Sequence, residues 1–212
     1  MDKRTPPASA SPLDALVRVT ELTLTTPDGR ARAPFSWHID AGLHVVQSDD
    51  ERVTQQLFEF ISGARPVEDG SIARRAASVY WQPNMLQREH ETQRADIWLQ
   101  HRGATFTRWS PDLAAELVAE FGLEEHIQKP LYMLSLGSFR KLNLVAAFAC
   151  AADVTCLEHP FAALDGPSCS LLSELLDEAA AHATRAWIVA DFAVPAALAN
   201  TSQLTVVNFD TP

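Results

Sequence analysis

The apolar positions along the chain predict strands that alternate with helices. Runs of β-branched and aliphatic residues predict strands, and apolar residues at spacings of three and four predict helices. The predicted strands are residues 16–25, part of 35–40, strands within 69–84, and the runs LHVVQ, VTCLEH, AWIVAD and QLTVVNF. The predicted helices span residues 51–61, 139–150 and 168–183. Strongly apolar strands separated by helices are typical of an α/β fold with a parallel sheet.

The middle third of the chain is predicted to be mostly helical. Residues 85–128 alternate polar and apolar positions at helical spacing, and Ser110-Pro111 has the form of an N-cap and a first helical residue. Residues 1–13 are polar and rich in proline and serine, which predicts a loose leader. Residues 14–212 are then expected to form one domain, with a helical subdomain at approximately residues 85–150.

Composition and charge exclude several kinds of partner. The chain has 212 residues, a formal net charge of −10 and a pI near 5.1, with no run of lysine or arginine to attract nucleic acid or an anionic bilayer. No stretch of eighteen apolar residues occurs, so direct membrane insertion is not expected. The three cysteines are odd in number and show no CxxC spacing, which favours reduced thiols and a cytoplasmic protein.

The stretch LSLGSFRKLNLVAAFACAADVTCLEHPFAALDGPS, residues 134–168, carries a specific resemblance. It resembles the core of the ATP-binding cassette (ABC) transporter ATPase family, in which an LSGGQ-like signature opens a helix and a buried strand ends in Asp-Glu-Pro before a Leu-Asp turn. The signature positions are Leu134, Ser135, Gly137 and Ser138; Glu158, His159 and Pro160 stand where Asp-Glu-Pro would; Asp165 stands at the D-loop aspartate. Gln82 is similar to the family's Q-loop glutamine. The resemblance implies a P-loop cassette with a mostly parallel central sheet, an antiparallel β portion near the N-terminus and an inserted helical subdomain.

The acidic turn after LHVVQ falls where the resemblance implies a Walker A phosphate loop, GxxxxGK[ST]. Such a loop uses glycines with a left-handed backbone to aim N–H groups at phosphates, a lysine to bridge them, and a hydroxyl to bind Mg²⁺. The aligned residues here are Ser48, Asp49, Asp50, Glu51, Arg52, Val53, Thr54 and Gln55. None of the required groups is present, and a β-branched Val53 resists positive φ. The three carboxylates are expected to repel phosphate and to satisfy the helix N-terminus themselves.

The positions that handle hydrolysis in the family are also altered. Glu158 replaces the Mg²⁺-binding aspartate on a longer arm, His159 replaces the catalytic glutamate, and Asp191 lies where the family has its switch histidine. A histidine can act as a base, but a structural or interface role is predicted for His159. No catalytic residue, metal site or cofactor is therefore predicted, with ATP and Mg²⁺ expected only in an active ATPase.

The retained positions have simpler structural interpretations as well. Ser135 fits a helix N-cap, Gly137 a site of tight packing, Asp165 a turn former, and Gln82 a polar group at a strand end. As a set in the family's order, they indicate descent from an ABC cassette.

Three functions remain open at this point. The first is a non-hydrolysing subunit that pairs head to tail with an active cassette, as a hetero- or homodimer, and that is attached to membrane-spanning subunits. The second is an active ABC-type ATPase that energises transport. The third is a cytosolic scaffold that uses the fold without nucleotide.

Overall fold

The computed structural model describes residues 15–83, 88–199, 201 and 204–209. The predicted leader at residues 1–13 lies outside the described residues. The strands are β1 Val17–Leu22, β2 Phe35–Ile39, β3 Gly42–Gln47, β4 Ser71–Arg74, β5 Val79–Trp81, β6 Val154–Glu158, β7 Ala186–Asp191 and β8 Leu204–Asn208. The helices are α1 Glu51–Ser62, α2 Ala95–Ala104, α3 Pro111–Glu120, α4 Leu136–Ala149 and α5 Gly166–Ala180, with short 3₁₀ helices at Arg88–His90, Leu131–Met133 and Ala196–Leu198. The alternation of strands and helices confirms the predicted α/β class.

A five-stranded parallel sheet forms the centre of the fold, in the order β5-β6-β7-β3-β8. Its middle strands are buried on both faces, as their uninterrupted apolar sequences predict. β6 and β7 run side by side in register, with Glu158 opposite Ala190. All five strands therefore end at one edge of the sheet, and the segments that follow them meet there.

A second sheet is antiparallel, in the order β2-β1-β4, and supplies the β portion near the N-terminus. It covers α1, whose Leu57, Phe58 and Ile61 are fully buried in a core shared with the apolar face of β1 and with one face of the parallel sheet. β1 ends at Leu22, earlier than the predicted strand at 16–25. Its register with β2 shifts between Val19 and Leu22, where Glu21 adopts a φ of 47°, and pairing resumes at Leu22 with Phe35, which is the pattern of a bulge within the ladder.

The helices lie on the two sides of the parallel sheet and have local start and stop signals. α4 and α5 pack on the face opposite α1, in a core that includes Trp98 and Trp187. Ser135 caps the start of α4, which begins three residues before the predicted Phe139 because its hydroxyl accepts the Ser138 N–H at 3.0 Å. Gly63, with a φ of 81°, ends α1 where the sequence predicts.

The three cysteines are free thiols. Burial raises the pKa of Cys150 to about 11, and it raises the pKa of Cys156 well above its usual value. Both thiols therefore stay protonated at neutral pH, in keeping with their apolar surroundings.

Candidate functional site

The carboxyl edge of the parallel sheet brings the predicted site residues together. β3 is followed by Ser48, β5 by Gln82, and β6 by His159. β7 ends at Asp191, which lies beside this group through its pairing with β3 and β6. In open α/β sheets, this edge is where ligands bind.

The turn between β3 and α1 is short and has no left-handed residue. α1 begins at Glu51, so only residues 48–50 connect strand and helix, and all of residues 48–55, which the structure describes throughout, have negative φ. Asp50 is the N-cap. A phosphate cradle built from left-handed backbone is therefore absent from this described turn.

Asp50 uses the N–H groups that a phosphate would need. Its side-chain Oδ1 accepts the Arg52 N–H at 3.0 Å. Its carbonyl oxygen accepts the N–H groups of Val53 at 3.1 Å and Thr54 at 3.4 Å. The N–H groups of Arg52, Val53 and Thr54 are thus bonded within the chain, all of them by Asp50.

The aligned positions after the turn belong to the helix rather than to a loop. Val53 has helical geometry and is fully buried, so its backbone lacks the positive φ that a phosphate loop uses at this position. The Thr54 hydroxyl donates to the Glu51 carbonyl at 2.9 Å, and Gln55 donates to Glu59 Oε1 at 3.0 Å. These residues do not fit a Mg²⁺–nucleotide, since they include no lysine, the Thr54 hydroxyl is bonded to Glu51, and the N–H groups of residues 52–54 are bonded to Asp50.

His159 lies at the centre of the edge and contacts two carboxylates. Its Nδ1 is 3.2 Å from Asp191 Oδ1, and its Nε2 is 3.7 Å from Glu51 Oε1. Its ring packs on the Phe192 ring with a centroid distance of 4.5 Å, and the main-chain N–H of His159 donates to the Ala190 carbonyl at 2.8 Å. The imidazole therefore joins the ends of β6 and β7 to the start of α1.

The charges around His159 favour its protonated form. The hydrogen bond to Asp191 raises the pKa of His159, burial opposes the rise, and the nearby Glu51 and Glu158 carboxylates reinforce it. His159 also has a φ of 41°, in the left-handed region that non-glycine residues seldom adopt. A strained residue held by a hydrogen bond and an aromatic contact is fixed by its surroundings.

Glu158 and Asp165 have partners within the chain. Glu158 Oε1 accepts the Trp81 indole N–H at 2.9 Å, across from the end of β5. Asp165 caps α5 by accepting the Ser168 N–H at 2.9 Å, and it pairs with Lys141 Nζ at 2.6 Å. The hydrogen bond from Lys141 holds the pKa of Asp165 well below its usual range.

The predicted signature forms the exposed start of α4. Ser135 and Ser138 are joined by their hydroxyls at 2.9 Å, while Leu134 packs against the core. A Cβ on Gly137 would lie 2.4 Å from the Ala163 carbonyl oxygen, closer than real contacts, so only glycine fits there. The signature and D-loop positions are thus brought into direct contact within one chain.

Two groups that the sequence did not indicate also lie at this edge. Burial lowers the pKa of the Arg140 guanidinium, while the Glu51 and Asp191 carboxylates oppose that change. Large apolar side chains are exposed beside the signature and after β7: Tyr132 is 60% exposed, Met133 56%, Leu136 55% and Phe192 51%. Leu136 lies within the signature-like LSLGS stretch, whereas no repeat or motif marks Arg140, Tyr132, Met133 or Phe192 in the sequence.

Within the described residues, no His, Cys, Asp and Glu side chains group as three or more potential metal ligands. No helix in the part of the chain that the structure describes has the length and apolar character needed to cross a membrane.

Comparison with known proteins places the fold. No protein-family profile and no curated protein sequence matches the chain. Among solved structures, the ATP-binding subunit of an ABC transporter is 16% identical, with a TM-score of 0.67 over 82% of this chain and 79% of that one. A nucleotide-free ATP-binding cassette from an ABC transporter is 10% identical, with a TM-score of 0.63 over 92% and 88%. The protein cbiO1 from Clostridium perfringens, part of the ABC transporter complex cbiONQ, is 19% identical, with a TM-score of 0.54 over 85% and 79%.

Proposed function

We propose that this chain, which has the fold of an ABC transporter ATP-binding cassette, is a non-hydrolysing subunit that acts as a regulatory or structural partner of an active cassette. The observation that carries the proposal is the closed turn at the start of α1. Asp50 bonds the N–H groups of three successive residues, and no left-handed residue occurs in 48–55. A nucleotide would have to displace these bonds before its phosphates could bind.

Electrostatics adds to this barrier. Asp49, Asp50 and Glu51 place three carboxylates beside the position that phosphates would occupy. At roughly 6 Å and an effective dielectric of about 20, each like-charge pair costs on the order of 3 kcal/mol before salt screening. The missing lysine removes a charge-assisted contact of about 1.5–3 kcal/mol. Together these effects lower nucleotide affinity by several powers of ten.

The positions for hydrolysis support the same conclusion. Glu158 is bonded to the Trp81 indole, and His159 is held between Asp191 and Glu51. These contacts join structural elements of the fold. The Glu158 carboxylate is bonded to Trp81, and His159 has no carboxylate with which to polarise a water. We assign His159 a structural role at this edge.

The partner that fits best is a second cassette that is itself active, which makes the pair a heterodimer. The start of α4 keeps an exposed, capped N-terminus at Ser135, next to the close contact between Gly137 and Ala163. The exposed Tyr132, Met133 and Leu136 surround this start, and exposed apolar groups are features of protein interfaces. In ABC transporters, the signature of one cassette completes the ATP site of the other, so this chain would complete a partner's site while its own stays empty.

Attachment to membrane-spanning subunits is the second part of the proposal, and it would place the chain at the inner face of a membrane. One solved relative of the fold belongs to the transporter complex cbiONQ. A cleft of about 570 Å³ lies beside Gln82 and is lined by Trp81, Pro83, Arg65 and Arg102 among others. Glu59 also lines this cleft and pairs with Arg65 at 3.9 Å, so Arg102 is the cation that we propose contacts an acidic residue of the membrane-spanning partner.

Nucleotide binding is tested by melting the purified chain with and without millimolar MgATP, beside a cassette that has an intact GxxxxGK[ST] loop. A ligand at about 100 times its Kd stabilises a protein by about 2.7 kcal/mol, so binding with Kd near 10 μM would raise Tm by roughly 5–11 °C. We expect no rise for this chain and a clear rise for the control. A clear rise for this chain would refute the closed-site proposal.

Partnership is tested by purifying the chain with its native neighbours. Recovery of a second cassette with an intact phosphate loop supports the heterodimer. Recovery of the chain alone, as a stable monomer or homodimer with no membrane subunit, favours a scaffold instead.

An active ATPase is the alternative function, and the hydrogen-bonded pair of His159 and Asp191 is the observation in its favour. A histidine oriented by a carboxylate can serve as a general base. Phosphate release that requires Mg²⁺ and is lost in His159→Gln would support this alternative and contradict the non-hydrolysing role.

A further inference from the structure

A small, partly open cavity lies between the carboxyl ends of β5 and β6 and the middle of α4. Its volume is about 20 Å³, and Tyr80, Gln82, Arg140 and Asn143 are among the residues that line it. The Tyr80 hydroxyl donates to the main-chain carbonyl oxygen of Asn143 at 3.1 Å, which fixes α4 against β5 on one side of the cavity. The Asn143 side chain remains available for another partner.

Buried polar atoms without partners are concentrated on the residues of this cavity. Gln82 Oε1, Arg140 Nε, and both Asn143 Nδ2 and Oδ1 are buried and have no hydrogen-bond partner within the described part of the chain. They are four of the nine such side-chain atoms among the described residues. Gln82 is 6% exposed and Asn143 7%, so bulk water does not satisfy these groups. Buried polar groups in native proteins are almost always bonded, often to an ordered water.

The chemistry of these atoms matches one water molecule. Arg140 Nε and Asn143 Nδ2 carry hydrogens, while Gln82 Oε1 and Asn143 Oδ1 accept them. A water can accept from the two donors and donate to the two acceptors. A metal cation is disfavoured by the two N–H donors, and the carboxylate of Glu158, another lining residue, disfavours an anion.

The cavity also has the size for one water and no more. A water needs about 10–15 Å³ of such volume and two to four polar partners. Pockets that bind metabolites measure roughly 300–1,000 Å³. The available 20 Å³ therefore excludes any organic ligand.

We propose that this cavity is a hydration site holding one structural water, which bridges Gln82 at the end of β5 to Arg140 and Asn143 on α4. The site is independent of the proposed partnership with a second cassette. It connects the glutamine after β5 to the helix that begins at Ser135, through side-chain atoms that have no hydrogen-bond partner in the described part of the chain. A bridge through water holds Gln82 to α4 without a direct side-chain bond between them.

The first test is a crystal structure of the wild-type chain at a resolution that shows ordered water. We expect one density peak within hydrogen-bond distance of Gln82 Oε1 and of at least one donor on Arg140 or Asn143. An empty cavity, or a cavity closed by a direct bond between Gln82 and Asn143, overturns the proposal.

The second test is a double-mutant cycle on unfolding with Gln82→Leu and Asn143→Leu. Each change removes partners of the water, so each is expected to lower the folding equilibrium constant by about 5- to 30-fold. In the double variant, the fold-decrease in the folding equilibrium constant should be smaller than the product of the two single decreases by more than about twofold, because both changes remove the same water.

Gln56→Leu is the matched control for this cycle. Gln56 is also a nearly buried glutamine, but its Oε1 accepts the Thr25 N–H at 2.7 Å and it does not line the cavity. In the double variant Gln56→Leu with Asn143→Leu, the fold-decrease in the folding equilibrium constant should lie within about twofold of the product of the two single decreases. Additivity of Gln82→Leu with Asn143→Leu, equal to that of the control pair, overturns the shared water. If a leucine variant does not fold, the wild-type density decides.

Discussion

The cap that closes the start of α1 can be removed while its charge is controlled separately. Asp50→Ala removes the side-chain acceptor of the Arg52 N–H, whereas Asp50→Asn keeps an acceptor and removes only the charge. Both variants keep the bonds from Val53 and Thr54, since these are made to the Asp50 main-chain carbonyl. The comparison of the two variants therefore isolates one hydrogen bond.

The size of the effect follows from that single bond. Alanine at an N-cap costs about 1 kcal/mol relative to aspartate, in a range of roughly 0.5–2, while asparagine is close to neutral. For a chain of 212 residues, 1 kcal/mol corresponds to a change in Tm of about 2–4 °C. Asp50→Asn also relieves repulsion from Asp49 and Glu51, so its Tm should equal or exceed that of the wild type.

The assay is thermal unfolding of the three proteins with and without MgATP. We expect Asp50→Ala to melt about 2–4 °C below Asp50→Asn, with no effect of MgATP on any of them. Equal melting temperatures of the two variants would refute the capping role of Asp50. A rise with MgATP in Asp50→Ala would show that the side chain alone excludes nucleotide, and would refute the argument from backbone shape.

Two further outcomes follow from the contacts at this edge. The pKa of His159 is raised in the folded state, so its contact with Asp191 stabilises the fold fully below the unfolded-state pKa, near 6.5, and this contribution is lost as pH rises through the raised pKa. Urea unfolding from about pH 6 upward should therefore show a decline in the free energy of unfolding, and His159→Gln should reduce that decline. An equal decline in the variant would contradict this. Gly137→Ala places a Cβ 2.4 Å from the Ala163 carbonyl oxygen. The steric cost of about 1–3 kcal/mol outweighs a gain in helix propensity of at most about 1 kcal/mol, so denaturant titration should show a lower free energy of unfolding. An unchanged free energy of unfolding would refute the close contact.

Much of the fold follows from local patterns in the sequence. The apolar strands β3, β6 and β7 and the cap at Ser135 are recognisable because strand burial and helix capping depend on neighbouring residues. The acidic turn is likewise identified as the segment between β3 and α1. Val53 is helical and buried and has no positive φ, in keeping with the resistance of a β-branched residue to that conformation.

The contacts within the site could not be predicted from the same patterns. His159 meets Asp191 because β6 and β7 are neighbours in the sheet, and it meets Glu51 because β3 lies beyond β7. The bond between Trp81 and Glu158 likewise depends on the pairing of β5 with β6. Strand order is a property of the whole fold, so residues far apart in sequence give no local signal of these partnerships.

Asp50, Glu158 and His159, which align with the nucleotide site of an ABC cassette, each have a partner within this chain. Loss of nucleotide binding alone would leave buried charges and helix N–H groups without partners, at a cost of about 1–3 kcal/mol each. Instead, Asp50 caps α1, Glu158 bonds Trp81, and His159 bonds Asp191. Such mutual consistency is the mark of a sequence fitted to its structure. These three bonds, together with the exposed Leu136 and Phe192, support the proposal that this edge contacts a protein surface rather than phosphate.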